Sequence, residues 1–138
     1  MSPGHDAAAQ AVEAFRAALP DPTIVDGSRL TRAMYATDAS LYRVVPEVVA
    51  KPRNRAELIA TVRAALAAGL PVTARGAGTS CAGNAVGPGV VIDLGRHLNR
   101  VLAVDALAGT AVVDPGVVQA ALQQRVTAQG WRYGPDPS

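Results

Sequence analysis

The chain has 138 residues, of which 49% are apolar, 17% charged and only 4% aromatic. That length suits one domain and is too short for two ordinary ones, and the apolar fraction supports a packed core rather than a solvating tail. Thirteen basic against eleven acidic residues leave a net charge of +2. The arginines are scattered (Arg16, Arg29, Arg43, Arg63, Arg96, Arg125), without the clustered charge and stacking aromatics of a nucleic-acid groove.

A single cysteine, Cys81, excludes an internal disulfide framework and a Cys-rich metal site, and two histidines, His5 and His97, argue against a His-built one. No apolar run approaches the roughly 20 residues of a membrane span. The start, Met1 to Asp6, lacks the charged and apolar regions of a signal peptide. A soluble, cytoplasmic protein with no membrane span and no nucleic-acid partner is expected.

In chain order, residues from about Asp6 to Leu19 read as a helix, with Val12, Phe15 and Leu19 at helical spacing and Pro20 and Pro22 ending it. The stretch Thr31 to Tyr42 is mixed. Val44 to Ala50 is a short apolar run interrupted by Pro46, which predicts an edge strand or an extended segment. Asn54, three residues before Glu57, makes an Asn-type capping box. Behind it Leu58, Ile59, Val62, Ala65 and Leu66 predict one apolar helix face, closed by Gly69 and Pro71. Val72 to Ala74 follows as a strand. The thirteen residues from Arg75 to Gly87 contain four glycines and predict a long loop. Val90 to Leu94 is a continuous apolar strand. Val101 to Asp105 and Thr110 to Val113 read as a hairpin turning near Gly109. A last helix is expected from about Val117 to Gln129, with Val118, Leu122 and Val126 on one face and Gly130 as its cap. Residues 1–30 are expected to be an N-terminal helical extension and residues 31–138 the domain proper, of mixed α+β class.

A glycine-rich loop directly after a strand exposes main-chain N–H groups and admits a ligand close to the backbone, which suits phosphate oxygens. A P-loop is excluded, because its lysine is missing and the only lysine, Lys51, lies elsewhere. A Rossmann turn fits Gly76 and Gly78, but Cys81 takes the third small position. The residues Ala82 to Gly89 also carry too many glycines, plus Pro88, to open a helix. Two readings stay open: a loop that wraps a pyrophosphate with main-chain amides, and a solvent-exposed turn that holds nothing.

The string Ala74-Arg75-Gly76-Ala77-Gly78-Thr79-Ser80-Cys81-Ala82-Gly83-Asn84-Ala85-Val86-Gly87 resembles the pyrophosphate loop of the FAD-linked oxidases, whose flavin domain is named after p-cresol methylhydroxylase. Tyr35 to Arg43, with Pro46 and Val49, resembles the opening segment of that domain. Val91 to Leu94 and Leu98 to Val101 resemble its next strand and connection, and Val113 to Val117 and Gly134 to Ser138 its later flavin-contacting turns. The likeness runs in consistent order from about Thr31 to the end. Within the family it is greatest to bacterial dehydrogenases of D-lactate and related D-2-hydroxy acids, some of which carry an iron–sulfur half further along.

The resemblance implies the N-terminal portion of a p-cresol methylhydroxylase-type FAD-binding domain, incomplete at its C-terminus. Arg75, Gly76, Ala77, Gly78, Thr79 and Ser80 would contact the pyrophosphate. Asn84, Ala85, Pro115 and Gly116 would lie near the cofactor. Pro135, Asp136 and Ser138 would begin a loop toward the ribityl chain or ring. Several relatives attach FAD through a histidine in this loop. The matching position is Thr79, so non-covalent FAD is expected. A substrate-binding cap domain, and in some relatives an iron–sulfur cluster, would belong to a C-terminal part beyond these residues. An incomplete site would leave apolar surface for self-association.

Cys81 has no cationic neighbour in sequence and reads as a small packed residue, His97 as a solvated connector and Trp131 as a core plug. Arg75 is expected to hold either the loop or a phosphate. Asp93 is either an exposed acid or the partner of a buried donor. No set of residues forms a general base and carboxylate clamp, so no catalytic residue is named. The function implied is the flavin-binding part of an oxidoreductase that removes a hydride from a D-2-hydroxy acid. The rival is a binding or assembly module that keeps the fold without redox chemistry.

Overall fold

A computed structural model describes residues 3–135. Helix α1 (Pro3–Ala17) lays Phe15 into the core with no exposed surface, and Leu19 follows it inward. Burying such side chains stabilises by about 1.5–3 kcal/mol each. The Asp21 side chain accepts from the Thr23 N–H at 2.9 Å and caps a single 3-10 turn, Pro22–Ile24. That turn leads into strand β1 (Val25–Asp26). Ser28 caps the short helix α2 (Arg29–Met34), and the Thr31 hydroxyl reaches back 2.6 Å to Asp26. The mixed stretch from Thr31 to Tyr42 thus holds the end of a short helix followed by a loop.

Strand β2 (Val48–Ala50) is buried at every position and lies inside the sheet, not at its edge. It pairs antiparallel with β1 and parallel with β4 (Val90–Asp93), in the register Val48↔Val90 to Ala50↔Ile92. Pro46 stands before the strand, so its missing N–H removes no ladder bond. This corrects the edge-strand expectation.

Helix α3 (Arg55–Ala67) starts at Asn54, whose side chain accepts from the Glu57 N–H at 2.9 Å. The Glu57 carboxylate returns to the Arg53 N–H at 2.8 Å, one residue earlier than the usual box. The buried stripe is Thr61, Ala64 and Ala65, flanked by half-buried Leu58 and Val62. Ile59 and Leu66 face outward, so the apolar face is rotated from the expected one. Small residues on the stripe let α3 approach α1 and the sheet closely. Gly69 at φ +68 ends the helix, with Gly69 N–H donating to Leu66 and Leu70 N–H to Ala65, the pair of bonds of a Schellman motif.

Strand β3 (Val72–Arg75) then pairs parallel with β4, from Val72↔Val90 to Arg75↔Asp93, giving the sheet order β1-β2-β4-β3. Strands β5 (Val101–Asp105) and β6 (Thr110–Val113) form a separate antiparallel pair around Gly109. Helix α4 (Gln119–Thr127) is shorter than expected and buries Leu122 and Val126, while Val118 stands before it and is exposed. Helix α1 and the segment after it share one core with the sheet and α3: Phe15, Leu19, Ile24 and Val25 pack with Val48, Ala65, Val90 and Ile92. A boundary at residues 30/31 falls within α2.

Candidate functional site

Strands β2, β4 and β3 run parallel, so their carboxyl ends open on one side of the sheet, where ligands of open α/β sheets are held. The loop from Gly76 to Gly89 leaves the end of β3 there, and the turn through Gly95 leaves the end of β4. A Cβ on Gly95 would lie 3.4 Å from the Gly76 carbonyl oxygen, and one on Gly116 would lie 2.7 Å from the Gly95 nitrogen. Gly76, Gly95 and Gly116 thus lie on three chain segments that meet at close range, and at Gly116 a side chain would prevent the approach.

Arg75 closes the loop on itself. Its guanidinium donates to the Thr37 carbonyl at 2.8 Å and to the Ala85 carbonyl at 3.2 Å. Loops whose ends are held together in this way are compact units. The Asp38 carboxylate accepts from the Ala85 N–H at 3.2 Å and from the Ser40 N–H at 2.9 Å. Its bond to the Ser40 hydroxyl, chiefly, holds the Asp38 pKa below the usual range. Inside the loop, the Ser80 hydroxyl oxygen accepts from the N–H groups of Ala82 and Asn84, at 3.3 and 3.1 Å.

Gly78 sits at φ +72, the left-handed region, and a Cβ there would lie 2.8 Å from the Arg75 guanidinium carbon. Gly76 differs: its φ is ordinary and a Cβ would meet no atom within 4 Å. Among the described residues, the N–H groups of Ala77 to Ser80 meet no protein acceptor. A segment with unspent donors and one glycine facing open space fits a pyrophosphate, which takes main-chain N–H groups at close approach.

Asp93, at the end of β4, is buried and accepts from the Tyr35 hydroxyl and from the Arg96 N–H at 3.0 Å. It is the buried partner of a half-buried donor. Burial, then the hydrogen bond and charge of Asp93, raise the Tyr35 pKa from 10.0 to about 12. The Tyr35 ring also lies beneath two cations, with the Arg75 guanidinium 5.1 Å and the Lys51 ammonium 5.8 Å from its centroid.

The structure thus gathers Arg75, Gly76, Ala77, Gly78, Thr79, Ser80, Asn84 and Ala85 on one loop, with Pro115 and Gly116 joined to it through Gly95. Arg75 is engaged in holding the loop. Pro135 lies apart, its carbonyl 3.4 Å from the Gln119 side-chain nitrogen. There it borders a groove of about 540 Å³ between the β5–β6 hairpin and α4, walled by Val104, Leu122, Val126 and Trp131. Asp136 and Ser138 lie outside the described residues. Cys81 is exposed rather than packed, and Trp131 is half exposed on the groove wall. Sequence reasoning assigned no role to Tyr35, Thr37 or Asp38. Tyr35 and Asp93 stand 58 positions apart, and no local spacing links them.

The family model described as FAD binding domain matches residues 46–138. The chain is 32% identical over 110 residues to D-2-hydroxyglutarate dehydrogenase of Escherichia coli K12, covering 78% of this chain and 11% of that protein. It is 34% identical over 119 residues to glycolate oxidase subunit GlcD of Bacillus subtilis 168, covering 85% of this chain and 25% of that one. Among solved structures, alkyldihydroxyacetonephosphate synthase superposes with a TM-score of 0.75 at 23% identity, over 94% of this chain and 26% of its own. p-Cresol methylhydroxylase superposes at 0.65 with 18% identity, over 94% and 26%. The chain belongs to the FAD binding domain family and has the p-cresol methylhydroxylase-type fold. It spans 11 to 25% of the length of these two curated relatives.

Proposed function

We propose that this chain is the flavin-binding part of an oxidoreductase acting on a small D-2-hydroxy acid, and that its loop from Arg75 to Ala85 holds the pyrophosphate of FAD without a covalent bond. The observation that carries the reading is the pairing of unspent N–H groups at Ala77 to Ser80 with the open face of Gly76. Gly76 admits a ligand to the main chain, Thr79 and Ser80 add hydroxyls, and Arg75 and Asp38 keep the loop closed while it binds. Thr79 has no imidazole, so it cannot form a histidyl link. The similarity to proteins named for D-2-hydroxyglutarate and glycolate oxidation supports the substrate class.

FAD, when bound, supplies the acceptance of a hydride from the carbon that bears the hydroxyl. The described residues add binding and orientation to this, not acid–base chemistry. Arg75 is tied to two carbonyls and, among the described residues, exposed His97 has no hydrogen-bond partner, so the substrate's carboxylate clamp and the base are assigned to other parts of the protein.

The test is purification of the polypeptide that contains this chain, followed by absorption spectroscopy. Flavin bands that move to the supernatant on acid precipitation, and that bleach anaerobically with D-lactate, D-2-hydroxyglutarate or glycolate, are expected. Flavin retained in the pellet would refute the non-covalent bond. Flavin that no 2-hydroxy acid bleaches would favour a non-catalytic module.

A further inference from the structure

Tyr35 lies outside the glycine loop, yet it touches the two side chains that govern the loop's start. Its hydroxyl donates to Asp93 at the end of β4, and its ring faces the Arg75 guanidinium at the end of β3. Arg75 and Asp93 are register partners across those strands, so Tyr35 ties together the two carboxyl ends from which the loop and the Gly95 turn depart. Two residues further on, the Thr37 carbonyl accepts from Arg75, and Asp38 accepts from the Ala85 N–H. The segment 35–38 therefore contacts Arg75 just before the loop, Ala85 within it and the neighbouring strand end.

The Arg75 guanidinium sits on the Thr37 and Ala85 carbonyls and lies against Gly78. A guanidinium over an aromatic face is attracted by the ring's quadrupole. The Asp93 bond fixes the ring, and the ring narrows the choices of Arg75.

We infer that Tyr35 is a positioning residue for the loop, acting through Arg75: it holds the guanidinium on Ala85 and so keeps the stretch 76–80 closed with its N–H groups unspent. The consequence for flavin affinity rests on the pyrophosphate reading above, whereas the effect on the loop stands without it.

The experiment is amide hydrogen exchange on the polypeptide that contains this chain and its Tyr35→Phe, Tyr35→Ala and Arg75→Lys variants, with FAD affinity by fluorescence in parallel. Tyr35→Phe keeps the ring and loses the Asp93 bond. It is expected to raise exchange at Ala82, Asn84 and Ala85 by about fivefold, the scale of one hydrogen bond, with the β4 amides Val90 to Asp93 unchanged. Tyr35→Ala and Arg75→Lys should raise loop exchange further, again ahead of β4. Loop and β4 amides accelerating together in Tyr35→Phe and Arg75→Lys, or loop exchange left unchanged, would overturn the inference. FAD affinity falling in the order of loop loosening supports both readings. A selective loop effect with no FAD binding in the parent chain would retain the positioning role and count against the flavin reading alone.

Discussion

Gly116 crosses the chain at Leu94 with no room between them: a Cβ on Gly116 would run into the Leu94 carbonyl and lie 2.7 Å from the Gly95 nitrogen. The Gly116 N–H also donates to the Leu98 carbonyl at 2.8 Å. This crossing brings the turn after β6 against the turn after β4. Gly116→Ala should therefore destabilise the fold by about 1–3 kcal/mol, the usual range for overpacking, because backbone rather than a flexible side chain must give way. Urea denaturation reads it directly. A midpoint equal to that of the parent would show that the two turns part freely.

Gly76 and Gly78 are two positions apart and should respond differently to valine. At Gly76 the added side chain enters open space at an ordinary φ, so stability should change by no more than about 0.5 kcal/mol, while FAD affinity should fall on the proposed reading. At Gly78 the positive φ and the Arg75 guanidinium both oppose a side chain, so stability and binding should fall together. Thermal melts paired with flavin fluorescence separate the cases. Undiminished FAD affinity in Gly76→Val would remove this face from the site.

The order of the elements is legible in the sequence because each carries a local signal. Asn54 with Glu57, Gly69 before Pro71, and the apolar run Val90 to Leu94 all act within a few residues of themselves. The loop is legible for the same reason, as glycine density leaves no regular alternative. What is not legible depends on distant packing. Pro46 suggests an edge strand because nothing local says that the ladder begins two residues later. Leu66 belongs to the apolar periodicity of α3, yet Thr61 and the alanines take the buried side, since close approach to α1 favours small residues. The bond between Tyr35 and Asp93 exists only once α2 and β4 are assembled.

The raised Tyr35 pKa gives an alkaline signature. Its neutral phenol is favoured in the fold, so the stabilisation is fully present below pH 10.0 and is lost as pH rises toward about 12. Spectrophotometric titration of the phenols should show a component ionising near 12 that Tyr35→Phe abolishes. Urea midpoints should decline more steeply between pH 10 and 12 in the parent than in this variant. Equal slopes would mean that the Asp93 bond is not kept in solution.

The central claim is that the amides after Arg75 receive the pyrophosphate, and a nitrogen–proton NMR titration of the 138-residue chain with FAD tests it most directly, since it detects weak as well as tight binding. Saturable shifts concentrated at Gly76 to Ser80, absent in Gly76→Val, are the expected result. Saturable shifts confined to the groove of Val104, Leu122 and Trp131, or no shifts at millimolar FAD, would contradict it.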